Sequence, residues 1–229
     1  MAETSMPADT KEPEITREEI LILQDKNFNS NNVCVVSGAG TGIGRATAIA
    51  AAVNKLMTVG LDINEEEGNK TQKMARELGG QMIFIKTELT RDEDIENAIQ
   101  EAAKIGTIKY LANIAGIQHI DSVDNFPMEK YDLMQRLMLR APFYLSKLAI
   151  GHMKKSADGL GVIGNMASVH AHICTKNKPV YNITKFGLKA LSQSISAEGE
   201  GKIRSFTLST GFVKTPLALN QIDAQAEQR

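Results

Sequence analysis

The chain has 229 residues, enough for one domain with a sizeable core. Hydrophobic residues make up 42% and charged residues 23%, the balance of a globular protein, and a net charge of −1 removes any general reason to bind nucleic acid or an anionic membrane. Two cysteines cannot build a disulfide framework, so a reducing, cytoplasmic setting is expected, and no apolar run approaches the roughly 18 residues that cross a bilayer.

Residues 1–31 are rich in Glu, Asp, Thr and Pro, then in Asn. This stretch reads as a flexible acidic tail, with a short helix over residues 15–23 whose "ILIL" face could dock on a neighbouring subunit. It lacks the apolar core of a signal peptide. From Val33 a regular alternation begins. Short apolar runs at 33–36, 57–63, 82–88, 110–116, 161–168 and 203–211 read as buried strands, and Cys34 within the first as a small core residue. Helical spacing fills residues 43–53, 65–78, 93–105, 129–155 and 180–198. The predicted architecture is α/β: residues 32–229 form a single doubly wound parallel sheet with helices on both faces. The last stretch, from Thr215, also reads as helix and ends at Arg229 without a closing element.

After the first strand comes "SGAGTGIGRATA", with Gly38, Gly42 and Gly44 at a strand-to-helix turn. Glycines are needed where the backbone turns tightly and approaches a pyrophosphate, and the following helix N-terminus offers N–H groups and partial positive charge. The second strand ends on Asp62, eighteen residues beyond Gly44. That lies close to the ~20-residue offset at which a carboxylate takes the adenosine ribose hydroxyls. A carboxylate there repels a 2′-phosphate and position 41 is Thr rather than a basic residue, so NAD is expected over NADP.

Further on, "SVHAHICTKNKPVYNITK" carries Ser168, Tyr181 and Lys185. Tyr181 and Lys185 stand at i and i+4, on one face of a helix. A phenol with pKa near 10 is a poor base at neutral pH, and a neighbouring ammonium would favour the phenolate. Ser168 would hydrogen-bond the substrate oxygen.

The glycine loop, "NIAG" at 113–116, Ser168 and the Y-x-x-x-K at 181–185 together resemble the short-chain dehydrogenase/reductase family over nearly the whole chain outside the tail. That resemblance implies a Rossmann fold and an NAD-dependent oxidoreductase acting on a CH–OH group. It makes Tyr181 the general base, with Ser168 and Lys185 as its catalytic partners. It assigns the cofactor to Gly38, Thr41, Gly42, Ile43, Gly44, Asp62, Leu89 (packing on the adenine), Asn113, Gly116, Tyr181, Lys185, Val213 and Thr215. Gln118, His170, Lys178 and Gln221 look like the carboxylate-binding set of (R)-3-hydroxybutyrate dehydrogenases within the family, which implies a small carboxylate substrate, ketone-body chemistry and a homotetramer. A lysine with imidazole and amide donors suits a small carboxylate, and an apolar substrate would leave these groups unpaired. Another small hydroxy or oxo substrate, or a weakly active or non-catalytic NAD-binding relative, also fits. His119, His152 and His172 read as surface or structural residues, and no cluster has metal-ligand spacing.

Three departures stand out. Met138 falls where the family has a fourth catalytic residue, an asparagine whose water relays the lysine's proton to solvent; the expected consequence is a rerouted relay or impaired turnover. Ile114 and Thr210 replace the Asn and Pro of the usual "NNAG" and "PG". Relatives also continue with more helix and a seventh strand, so a C-terminal strand is expected to be missing here, the sequence being either trimmed or a fragment with an open sheet edge.

Overall fold

The computed structural model of the protein describes residues 14–219. Six strands, β1 (Asn32–Ser37), β2 (Met57–Asp62), β3 (Gln81–Lys86), β4 (Thr107–Asn113), β5 (Gly161–Met166) and β6 (Ile203–Leu208), form one sheet in the order β3-β2-β1-β4-β5-β6. Every pairing is parallel. The apolar runs become strands because both faces of such a sheet are covered, so nearly every position of β1 and β2 is buried. Helices α1 (Gly42–Val53), α2 (Glu65–Glu77), α3 (Asp92–Ile105), α4 (Met128–Gln135), α5 (Ala141–Lys155) and α6 (Pro179–Glu198) cover it. One core layer packs α3 and α5 on the sheet through Ile99, Leu145, Ala149 and Met153; the other packs α1 through Ala48, Ile49 and Ala52. Chain order reverses between β1 and β4, and that crevice at the carboxyl ends of the strands is where ligands bind in open α/β sheets. No helix among the described residues is long and apolar enough to cross a membrane.

Two expectations change. The single helix expected over residues 129–155 is α4, a π-helical turn at Arg136–Arg140, and α5. Pro142 supplies the cause. It has no N–H for the Met138 carbonyl four residues back, and its ring crowds that oxygen, so the ladder widens there. The second correction concerns the amino-terminal stretch. From Glu14 the chain lies along the domain, and its helix is only the 3-10 turn Arg17–Glu19. Ile15, Ile20 and Phe28 pack on the α1 core layer, and the Phe28 ring stands edge-on to Tyr110 at 5.6 Å. Asn54 ties it down by accepting from the Leu23 N–H (2.8 Å) and donating to the Leu21 carbonyl (3.0 Å).

Candidate active site

A cleft of about 730 Å³ opens above the β1/β4 crossover, within the size range of small-molecule sites. One end is built by the turn from β1 to α1. Gly38 takes φ +71°, and a Cβ on Gly44 would lie 1.8 Å from the Gly38 carbonyl oxygen, so the turn closes only with hydrogen at position 44. The Thr41 side chain makes no capping hydrogen bond at the start of α1. Asp62, ending β2, accepts from the Gly40 N–H (2.8 Å) and the Asn64 N–H (2.9 Å). A carboxylate has about four acceptor positions, so capacity remains on the side that lines the cleft. Beneath the loop lies Arg45, buried although cationic. It donates to the Gly40 carbonyl and to Glu67, and its Nε donates to Thr71 Oγ1 at 3.0 Å. The single hydroxyl proton of Thr71 in turn goes to the Glu67 carbonyl at 3.0 Å, with the Gly40 carbonyl also in reach at 3.3 Å. That guanidinium and hydrogen bond hold the Glu67 carboxyl below its ordinary range. At the far wall, Thr215 comes within 3.1 Å of where a Gly42 Cβ would sit, so the 210–218 segment lies directly over the loop.

The other end is built by β5 and α6. Ser168 follows β5, and α6 carries Tyr181 and Lys185 one turn apart. Lys185 is 4% exposed; its Nζ donates to the Met166 carbonyl at 2.7 Å and sits 5.2 Å from the Tyr181 ring centre. Burial pulls the Lys185 ammonium down to about 8. Tyr181 does not show the expected depression. Burial pushes its phenol up, and only the Ser168 hydrogen bond pulls the other way. The ammonium lies over the face of the ring, a cation–π position, not beside the hydroxyl.

Beyond them stand the remaining polar groups. His170 Nδ1 hydrogen-bonds Ser168 Oγ (3.1 Å), its Nε2 bonds Thr175 Oγ1 (2.9 Å), and its ring is edge-on to Tyr181 at 5.5 Å. Burial, then the nearby Lys178, lowers the His170 pKa. Burial alone lowers that of Lys178, so no neighbouring carboxylate offsets it among the described residues. The Gln118 Nε2 is buried without a hydrogen-bond partner among the described residues. The glycine turn, the Asp62 carboxylate and the Ser168, Tyr181 and Lys185 group thus face one cleft.

The model of the short-chain dehydrogenases matches residues 32–226. The chain belongs to the short-chain dehydrogenase family. It is 32% identical over 185 residues to an uncharacterized oxidoreductase of Thermotoga maritima, covering 80% of this chain and 72% of that protein. It is 29% identical over 199 residues to the D-beta-hydroxybutyrate dehydrogenase of Rhizobium meliloti, covering 85% and 76%. A solved structure from Sinorhizobium meliloti 1021, assigned to the short-chain alcohol dehydrogenases, superposes with a TM-score of 0.79 at 21% identity, covering 87% of this chain and 81% of that one. The last likeness concerns the fold alone.

In this short-chain dehydrogenase the cleft gathers most of the residues singled out from the sequence. Gly38, Thr41, Gly42, Ile43, Gly44, Asp62, Leu89, Gly116, Gln118, Ser168, His170, Lys178, Tyr181, Lys185, Val213 and Thr215 all line it. Gln221 lies outside the described residues. Asn113 is the correction. It is buried at the end of β4, opposite Asn165 in the register, and its Nδ2 donates to Asn165 Oδ1 (2.8 Å) and Ser146 Oγ (3.3 Å). Strand alternation turns it away from the cleft into a polar network between the sheet, α5 and α6. Met138 is 1% exposed, packs with Met134, Val180 and Tyr181, and its sulfur lies 3.3 Å from where a Gly116 Cβ would stand. Sequence reasoning missed Ser37, whose Oγ accepts from the Ile114 N–H (2.9 Å) and the Ala115 N–H (3.3 Å) and so fixes the "NIAG" turn against β1. It also missed the Arg45–Glu67–Thr71 brace. A lone hydroxyl ending an apolar strand, or an arginine inside an alanine-rich helix, was the available signal.

Proposed function

We propose that this oxidoreductase of the short-chain dehydrogenase family, whose members generally use NAD(P), uses NAD to interconvert a small 3-hydroxy acid and its 3-oxo acid, (R)-3-hydroxybutyrate and acetoacetate being the pair that fits best. The observation that carries the substrate reading is the half-buried Lys178, with no acid beside it among the described residues and the orphan Gln118 amide on the same cleft. Such donors cost free energy until an anion pairs with them. The hydroxybutyrate dehydrogenase of Rhizobium meliloti among the relatives supports the same reading.

The residues fit a bound dinucleotide. The glycine turn at the start of α1 would take the pyrophosphate, Asp62 would accept from ribose hydroxyls, and Leu89, which lines the cleft, would pack on the adenine. When bound, the nicotinamide supplies the hydride chemistry. Asp62 and the lack of a basic residue at Thr41 support NAD, because a 2′-phosphate would meet the carboxylate. Lys178 and Gln118 then hold the substrate carboxylate. Ser168 donates to the reacting oxygen, and Tyr181 takes the hydroxyl proton. Lys185 stabilises the phenolate through its ammonium over the ring.

Formation of NADH from (R)-3-hydroxybutyrate, followed by absorbance with NAD and NADP in parallel, tests this. The expected result is turnover with NAD at least about tenfold faster than with NADP, a preference worth ~1.4 kcal/mol. Lys178→Ala should raise KM about tenfold or more. An unchanged KM would remove the case for carboxylate recognition.

A further inference from the structure

Oxidation of a hydroxyl leaves Tyr181 holding a proton that must reach solvent before the next turnover. Two routes leave the phenol. On one side are Lys185, whose Nζ is tied to the Met166 carbonyl, and then Met138, packed with Tyr181 and Val180. A thioether has no proton to give and is a poor acceptor, so no proton passes through the Met138 side chain. On the other side Tyr181 shares the cleft with Ser168 and has the His170 ring edge-on at 5.5 Å, Ser168 Oγ bonds His170 Nδ1 at 3.1 Å, and His170 Nε2 bonds the exposed Thr175 Oγ1 at 2.9 Å. Both ring nitrogens of His170 are therefore engaged along this line, and neither is turned to a substrate carboxylate.

We propose that His170 is the proton-relay residue of this enzyme, carrying the Tyr181 proton through Ser168 and Thr175 to bulk water in place of a route past position 138. The proposal deepens the dehydrogenase reading and rests on it, but it leaves the carboxylate grip to Lys178 and Gln118. During hydride transfer Ser168 donates to the substrate oxygen. After the ketone leaves, the Tyr181 O–H bond breaks as its proton joins Ser168 Oγ, and the proton Ser168 carried joins His170 Nδ1. The Nε2 proton passes to Thr175 Oγ1, and the proton Thr175 carried passes to water. Tyr181 is again a phenolate, and one proton has reached solvent for each alcohol oxidised. Water in the vacated cleft then restores the starting tautomer of the half-buried ring. The relay needs a neutral imidazole, since the charged ring has no acceptor nitrogen. Among the described residues the charged or titratable neighbours, Lys178 just before α6, Tyr181 on α6 and Lys185 beyond them, include no acid that would hold the ring protonated.

The test is His170→Gln, which keeps an amide donor but cannot pass a proton. With NAD and 3-hydroxybutyrate, kcat should fall by about tenfold or more while KM stays within about twofold. Added imidazole should recover the lost turnover in His170→Gln and leave the wild type unchanged. Met138→Asn in the His170→Gln background should recover it as well, by reopening the other route. NAD affinity measured by fluorescence should be unchanged, showing that the variant is folded. A raised KM with unchanged kcat would overturn the relay and return His170 to substrate binding. A lost kcat that imidazole does not restore would also overturn it. Side-chain NMR of His170 in the wild type separates this result from a wrong substrate, because it needs no turnover. The ring should be neutral at pH 7; a charged ring would overturn the relay whatever the substrate.

Discussion

Lys185 holds its ammonium over the face of the Tyr181 ring, 5.2 Å from the ring centre, while donating to the Met166 carbonyl. The lysine is nearly sealed from solvent, and burial brings its pKa down from 10.5 to about 8. The fold thus holds an unfavourable charge beside the Tyr181 phenol. That cost is relieved when the phenol ionises.

The consequence for stability has a definite sign. A base with a depressed folded pKa destabilises the fold while it is charged in both states. Between about 8 and 10.5 the unfolded chain binds more protons than the folded one, so this contribution to stability rises with pH. At ~1.36 kcal/mol per unit, the gain is about 3 kcal/mol at most. Ligand-free Lys185→Met should therefore gain on the wild type at pH 7 and lose that advantage by pH 10. Chemical denaturation at the two values checks this; parallel pH dependences would show that the buried ammonium is not strained.

Glu67→Gln should loosen the nucleotide loop. Arg45 would keep its bonds to Gly40 and Thr71 but lose the Glu67 charge while remaining buried. Glu67 is part-exposed, so the expected loss is about 1–2 kcal/mol of stability. The KM for NAD should rise several-fold with kcat little changed. The depressed Glu67 carboxyl stabilises the fold above its unfolded pKa, and that part is lost as pH falls through the folded value. The acid limb of the stability profile should accordingly flatten in the variant.

Two glycine-to-alanine changes should move in opposite directions. Gly44→Ala drives a methyl against the Gly38 carbonyl oxygen and should cost about 3 kcal/mol and abolish NAD binding. Gly151 lies inside α5, exposed, with nothing within 4 Å of a new Cβ. Gly151→Ala should stabilise by about 0.5–1 kcal/mol. Thermal unfolding of both variants against the wild type checks the pair.

Asp62→Ala removes the acceptor shared by the Gly40 and Asn64 amides and the negative charge at the cleft wall. The ratio of kcat/KM for NAD over NADP should fall by about tenfold or more, the scale of ~1.4 kcal/mol. An unchanged ratio would mean that Asp62 only braces the loop.

The strands and the cleft were legible because each left a local signature. Buried parallel strands read as apolar runs, and the glycine turn, Asp62, Ser168 and the Tyr181–Lys185 pair sit at spacings set by backbone geometry. What stayed hidden depends on partners far along the chain. The 14–31 stretch is held by Asn54 and by three scattered apolar contacts, a pattern with neither helical nor strand period. Asn113 turns from the cleft because alternation faces it to Asn165 and Ser146, both long-range partners. The π turn at Met138 follows from Pro142 and could have been read from the sequence. The bonds that tie His170 to Ser168 and Thr175 required the fold of the 168–178 loop.

The central claim is that a carboxylate on the substrate meets Lys178 and Gln118. Steady-state kinetics with (R)-3-hydroxybutyrate and with its uncharged primary amide, on the wild type and Lys178→Ala, tests this most directly. The account predicts that kcat/KM for the acid exceeds that for the amide by about 100-fold, within the range of a charge-assisted contact, and that Lys178→Ala erases most of the difference. Equal values for the two substrates, or a preference that survives in Lys178→Ala, would contradict it.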